Sequence, residues 1–224
     1  MKMFLSALLL ALSLVALSPQ AMATDASGDL SLQSKFLDRG LVVSDDASAV
    51  LNLRVTDVVF DGVFLSTQLA TTDVFSGDLQ LRTDLGVGYT YDFGVVDLTG
   101  SLNHLDNTAL YADSFNEVRG EVGVQVATPV RVYGRVARVL SGAEDDTYFG
   151  VGVDAQITDK LGVSALATGY AYDLGGTKFN NAELTARYAL YREFYGFGTY
   201  STGGRNLVSA SIPDQWLVGV GVKF

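Results

Sequence analysis

The feature that most constrains this chain is a strict alternation of apolar and polar residues. From Leu79 to Tyr91 the odd positions are apolar or aromatic except Thr83, and the even positions carry glutamine, arginine, aspartate, glycine and threonine. A period of two places one residue set on each face of a β-strand, and an α-helix cannot use it. The pattern therefore predicts strands in which both faces have a distinct environment.

Similar segments recur along the sequence, and they predict about twelve strands. They lie near residues 29–37, 48–56, 62–70, 79–91, 95–104, 115–127, 130–140, 147–157, 161–172, 180–190, 194–201 and 215–224. The connections between them alternate in length. Short ones lie at 57–61, 92–94, 128–129, 158–160 and 191–193, and long ones at 38–47, 71–78, 105–114, 141–146, 173–179 and 202–214. This plan is typical of an all-β, transmembrane antiparallel up-and-down β-barrel with periplasmic turns and extracellular loops.

The first 23 residues have the features of a signal peptide. Lys2 is followed by an apolar run over residues 4–17 and by the small-x-small sequence Ala21-Met22-Ala23. We expect cleavage after Ala23, which leaves residues 24–224 as one outer-membrane β-barrel in the cell outer membrane of a Gram-negative bacterium. The longest apolar run beyond this point, residues 216–222, is too short for a spanning helix.

Composition excludes several classes of function. The chain has no Cys, so disulfides, thiolate metal sites and cysteine nucleophiles are impossible. Acidic residues outnumber Lys and Arg by 25 to 15, which argues against a nucleic-acid partner. No cofactor motif is present, since the Gly-x-Gly pairs do not connect a strand to a helix.

The apolar face of the strands is expected to contact lipid, because aromatic residues collect near both strand ends. Those on the loop side are Phe36, Phe115, Phe149 and Trp216. A soluble, lipocalin-like barrel is the alternative, but about twelve strands would enclose a large apolar void. The opposite face then lines the lumen. It carries Arg54, Arg82, Asp84, Asp97, Glu117, Arg119, Glu121, Arg131, Arg135, Asp154, Glu183 and Arg187. These charges predict either a polar channel or a salt-bridged interior that conducts little.

The loops carry an acidic excess that includes Asp45, Asp46, Glu144, Asp145 and Asp146. An acidic mouth concentrates cations, so we expect a weak cation preference. Residues 144–146 could also hold a calcium ion that bridges lipopolysaccharide phosphates, although a solvated loop is the simpler interpretation.

The only histidine, His104, is followed by Leu105 and Asp106 and preceded by Leu102 two positions earlier. Neither a His-x-Ser pattern of outer-membrane lipid hydrolases nor an Asp-x-His pattern of omptin proteases is present. We interpret His104 as a rim residue and expect no enzyme activity. A lipid-modifying enzyme centred on His104 is the alternative from another class.

The opening Ser34-Lys35-Phe36-Leu37-Asp38-Arg39-Gly40 resembles the Ser-Lys-Tyr-x-x-Arg-Gly sequence of the TorF-type porins, with Phe36 in place of Tyr. The resemblance implies a porin role and no catalytic residue. We expect Arg39 to face the lumen near the mouth, as a constriction or paired with Asp38, Asp45 or Asp46. The final alternating strand ends on Phe224, which is similar to the signal that the barrel-assembly machinery binds.

The sequence thus predicts an outer-membrane channel for passive diffusion of small hydrophilic solutes, with no cofactor. Its expected partners are outer-membrane lipid and lipopolysaccharide, the barrel-assembly machinery and small solutes, and a homo-oligomer is compatible with the pattern. A structural or adhesive barrel with a closed, salt-bridged lumen is the main alternative.

Overall fold

The structure is a computed structural model that describes residues 25–38, 41–72, 80–107, 114–141, 147–172, 176–202 and 213–224. Its strands are β1 (Ala26–Gln33), β2 (Phe36–Asp38), β3 (Leu41–Ser44), β4 (Ser48–Thr56), β5 (Val63–Thr72), β6 (Gln80–Asp92), β7 (Val96–Asn107), β8 (Phe115–Ala127), β9 (Val130–Ser141), β10 (Thr147–Gln156), β11 (Leu161–Tyr172), β12 (Gly176–Tyr191), β13 (Phe194–Ser201) and β14 (Gln215–Lys223). No helix in these ranges is long and apolar enough to cross a membrane.

Twelve of the strands form one closed antiparallel barrel, in which β1 pairs with both β4 and β14. Backbone hydrogen bonds between Gly28 and Phe224, at 2.9 and 3.0 Å, extend the β1–β14 seam. Every neighbouring pair in between follows the chain order, so long and short connections lie at opposite ends. The predicted fold class is confirmed.

The two faces of the barrel follow the sequence alternation. On β7, Asn103 and Leu105 are buried on the inner face, whereas Leu102, which precedes Asn103 in the chain, is 50% exposed on the outer face. Other strands show the same difference between the two faces: large apolar side chains on the outer face, such as Val122 and Val220, are exposed. These side chains face outward because successive residues of a strand point to opposite sides of the sheet.

The turn at Asp57–Gly62 shows why the short connections are tight. Asp57 has a positive φ of 58° and Gly62 a positive φ of 87°. The Asp57 side chain accepts a hydrogen bond from the Gly62 amide at 2.8 Å. Aspartate and glycine tolerate the left-handed region, so the chain reverses here with few residues.

The first predicted strand is wrong at its end. It was expected to run over residues 29–37, but β1 ends at Gln33, and β2 and β3 form a separate two-stranded hairpin between β1 and β4. Phe36, expected in an aromatic girdle facing lipid, is only 5% exposed and packs with Val50 and Ala70. Val50 and Ala70 belong to the inner face, so the hairpin turns into the barrel instead of extending its wall.

Candidate functional site

The barrel interior collects the charged residues that alternation assigns to one face. By strand register, the described members of that set occupy inner-face positions: Arg54, Arg82, Asp84, Asp97, Glu117, Arg119, Glu121, Arg131, Arg135, Asp154, Glu183 and Arg187. Arg39 lies outside the described residues, as do Glu144, Asp145, Asp146 and the predicted signal peptide at 1–23. Asp45 is exposed beside the hairpin, with Lys35 Nζ 3.5 Å from its carboxylate, and Asp46 is exposed beside it.

Arg119 is the centre of a first ion cluster on the inner wall. Its Nη2 donates to Asp84 at 2.7 Å and its Nε donates to Glu117 at 2.5 Å. Asn103 adds a hydrogen bond to Asp84 at 2.9 Å. Glu117 and Asp84 are both buried, and Arg119 places a positive charge within hydrogen-bond distance of each carboxylate. The contact with Asp84 joins β8 to β6 across the inner face of β7.

Arg131 is the centre of a second cluster nearer the turns. Its guanidinium donates to Asp97 at 2.6 and 3.1 Å and to Glu121 at 2.8 Å. The contact with Asp97 joins β9 to β7, again across one intervening strand. Asp154 lies directly opposite Arg131 on β10. Two positive charges, Arg119 and Arg131, are thus each held between carboxylates.

Three other arginines lie against aromatic rings. Arg54 lies 3.7 Å from the Phe64 ring centroid, Arg187 lies 4.4 Å from Tyr195, and Arg135 lies 5.4 Å from Tyr148. Arg135 also donates to the Tyr148 hydroxyl at 2.7 Å, and Arg54 donates to the Thr90 hydroxyl at 2.9 Å. Within the described ranges, none of the three arginines forms an ion pair.

Among the described residues, an ion pair between Asp38 and Arg82 joins the β2–β3 hairpin to this wall. Arg82, which is 4% exposed, donates through Nη2 to Asp38 at 2.8 Å, and its guanidinium lies 5.5 Å from the Phe36 ring. Its Nε and Nη1 are buried and have no hydrogen-bond partner among the described residues. Lys35 donates to Gln215 of β14 at 2.8 Å and so ties the hairpin entry to the far side of the seam. The hairpin therefore narrows the loop end of the lumen.

Sequence reasoning missed this hairpin, although a local signal was available. Phe36 and Leu37 are adjacent apolar residues, which breaks the alternation expected of a barrel strand. Such a break indicates that the chain leaves the barrel wall.

Sequence reasoning also missed an uncharged polar cluster on the wall formed by β11, β12 and β13. Asn181 accepts a hydrogen bond from Thr168 and donates to Ser201 at 2.9 Å and to Glu183 at 2.8 Å. Further along, the hydroxyls of Thr185 and Thr199 lie 2.8 Å apart. A search for charged residues cannot find such a cluster, because threonine, serine and asparagine are common on outward faces as well.

The barrel interior contains cavities that are lined mainly by polar side chains. Two adjoining cavities have volumes of about 430 and 390 Å³. The residues common to both linings are Arg54, Ser66, Gln68, Asp84, Asn103 and Arg119. One cavity reaches Asp29 and Lys223 at the turn end, and the other reaches Asp38 below the hairpin.

His104 lies on the outer face of β7, away from these cavities. Its Nδ1 is 3.0 Å from Asn116 Oδ1, which makes Nδ1–H the donor. No hydroxyl of the described residues forms a hydrogen bond with His104, so no nucleophile is assembled around it there.

Comparisons with solved structures agree on the architecture. A KdgM porin superposes with a TM-score of 0.63 at 12% identity, over 88% of this chain and 99% of that chain. A NanC porin gives a TM-score of 0.59 at 10% identity, over 89% and 99%. Outer membrane phospholipase A from Escherichia coli gives 0.52 at 13% identity, over 92% and 93%.

No protein-family model matches the sequence, and no curated protein is significantly similar to it. The TorF-type resemblance therefore stays a prediction from the opening motif. At these low identities the similarity concerns the fold: the chain is similar to the twelve-stranded KdgM and NanC porins, and also to a barrel that is an enzyme.

Proposed function

We propose that this chain is an outer-membrane channel for the passive diffusion of small hydrophilic solutes. The observation that carries the proposal is the pair of adjoining polar cavities inside a closed barrel whose outer face is apolar. An apolar outer face suits a bilayer, and charged inner positions are tolerated at membrane depth only where water or partners reach them.

The charge balance of the lumen supports small neutral or weakly cationic solutes over polyanions. A KdgM porin has been solved with an oligogalacturonate, which carries many carboxylates. In this chain Arg119 and Arg131 each contact two carboxylates, so these two guanidinium groups offer no net positive charge to such a solute. We propose a weak cation preference, to which the acidic mouth residues outside the described ranges also contribute.

The assignment to the outer membrane carries further expectations. We propose export through the signal peptide at 1–23 and recognition of the last strand, with Phe224, by the barrel-assembly machinery. Lumen-lining roles for the predicted charged set, including Arg39, belong to the same proposal.

Liposome swelling in isotonic monosaccharide tests the channel. Folded wild-type barrel should accelerate swelling over protein-free liposomes, because the solute diffuses through the cavities. Ser66 lines both cavities and Leu65 is 46% exposed on the outer face. Ser66→Trp should therefore slow swelling, and Leu65→Trp should not.

Absence of swelling with correctly folded wild type would contradict the proposal. It would favour the closed structural or adhesive barrel, in which the ion clusters seal the lumen.

A further inference from the structure

The outer face of the barrel has one polar patch that a channel does not require. Among outward-facing strand positions whose side chains are described, acidic, basic or imidazole groups occur at three: His104 and Asp106 on β7, and Arg138 on β9. The remaining positions carry apolar residues, glycine or uncharged polar residues. Charge on a lipid-facing wall is costly at mid-bilayer and tolerated near the membrane interfaces, so the depth of these residues in the wall matters.

The patch spans three neighbouring strands. His104 lies directly opposite Asn116 of β8, and Arg138 lies opposite Val118, one outward position nearer the turns. Since His104 Nδ1–H donates to Asn116, its Nε2 is left for another partner. Arg138 is exposed, and its guanidinium makes no ion pair within the described ranges.

The patch lies at the level where lipid headgroups are expected. Below His104 on β7, and below Arg138 on β9, four outward positions are apolar or glycine down to Val96 and Val130. Eight strand residues tilted in a barrel wall rise about 20 Å, which is close to the height of the apolar band of such barrels. His104 and Arg138 therefore lie at its outer edge, on the side of the long loops.

We propose that His104, Asn116 and Arg138 form a binding site for the phosphate of an outer-leaflet lipid headgroup. The Arg138 guanidinium offers a planar pair of donors that matches phosphate oxygens. His104 adds a donor when protonated, in an orientation that Asn116 fixes. Asp106, the next outward residue towards the loop, repels phosphate from above and keeps it at the level of Arg138.

The proposal goes beyond channel function and requires only that the barrel lies in a membrane. A lipid phosphate bound on one side would fix the depth and rotation of the barrel relative to its neighbours. The lumen residues take no part in it.

Lipid binding to the folded barrel in uncharged detergent micelles, measured by native mass spectrometry, tests the site. The probes are diphosphoryl lipid A and the same lipid with both phosphates removed. Wild type should retain the phosphorylated lipid at least tenfold better. Arg138→Gln should weaken its binding by roughly fivefold to tenfold, the loss expected for one charge-assisted contact. Lys160→Gln, at an exposed turn on the opposite end, is the matched control and should have no effect.

Three outcomes would overturn the site: unchanged binding in Arg138→Gln, equal loss in Lys160→Gln, or displacement of the lipid by an equal concentration of inorganic phosphate. Arg138→Gln should keep wild-type conductance. If the wild type binds lipid A as expected but does not conduct, the channel proposal fails while the lipid site stands.

Discussion

The two sides of the lumen carry different kinds of polar side chain. The ionic wall, formed by the inner faces of β6 to β9, carries nine charged residues: Arg82, Asp84, Asp92, Asp97, Glu117, Arg119, Glu121, Arg131 and Arg135. The hydroxyl wall, formed by β11 to β13, carries two whose side chains are described, Glu183 and Arg187, among threonine, serine, asparagine and aromatic residues.

The contrast extends to which strands the side chains join. On the ionic wall, Arg119 reaches Asp84 and Arg131 reaches Asp97, each across one intervening strand. On the hydroxyl wall, Thr185 and Thr199 join adjacent strands. The long arginine side chains thus brace three strands at once. The lumen therefore has ion pairs on one side and mainly neutral hydrogen-bonding groups on the other.

The largest expected difference between the walls is in stability. Arg119→Leu removes the guanidinium that buried Glu117 and Asp84 both contact. We expect a loss of about 3 kcal/mol in the free energy of unfolding, the lower end for breaking a buried pair, because Arg119 is 31% exposed. Thr185→Val removes one neutral hydrogen bond and should cost about 1 kcal/mol. Urea unfolding in micelles measures both.

Equal losses in the free energy of unfolding for Arg119→Leu and Thr185→Val would contradict the proposed difference between the two walls. Combining Arg119→Leu with Glu117→Gln and Asp84→Asn should recover part of the loss, since both buried carboxylates are then replaced by neutral amides.

A second difference concerns the hairpin, which among the described residues contacts the ionic wall through the ion pair of Asp38 with Arg82. Asp38→Asn weakens a charge-assisted contact by about 2 kcal/mol and leaves the buried guanidinium poorly paired. The hairpin should then leave the lumen part of the time, which raises mean conductance and current noise. Asp45→Asn, which removes an exposed contact with Lys35 at 3.5 Å, is the control and should change little. A quiet, unchanged current in Asp38→Asn would show that the other contacts of the hairpin region, such as Phe36 packing and the Lys35–Gln215 hydrogen bond, suffice to hold the hairpin.

The smallest expected difference is in ion selectivity. Replacing both partners of Arg131, by Asp97→Asn with Glu121→Gln, should shift the reversal potential in a salt gradient towards anions. Glu183→Gln on the hydroxyl wall should shift it less, because it leaves no arginine newly uncompensated. The shifts should shrink at high salt only modestly, since wall charges are less screened than mouth charges. A larger shift in Glu183→Gln would contradict the assignment of the field to the ionic wall.

Much of the fold could be predicted because a period of two has one structural meaning. The predicted ranges of β4, β8, β11 and β13 match the structure. The prediction that Phe36 faces lipid failed because the chain leaves the barrel wall there. A hairpin inside the barrel can bury a residue without following the alternation of a wall strand. Alternation also assigned the charged residues to one face, but it could not give partners. Arg119 contacts Glu117 and Asp84 because of the strand register, and the sequence alone does not provide that register.

The central claim is that inner-face residues line a water-filled conducting lumen. Because the sequence has no Cys, a single engineered cysteine is the only site for a thiol reagent. Ser101 lies on the inner face beside the cavity, and its neighbour Leu102 is 50% exposed on the outer face. Single-channel current through Ser101→Cys should fall by more than half when a bulky water-soluble thiol reagent is added, and current through Leu102→Cys should not change. A block in Leu102→Cys with none in Ser101→Cys, or no current in the wild type, would contradict the account.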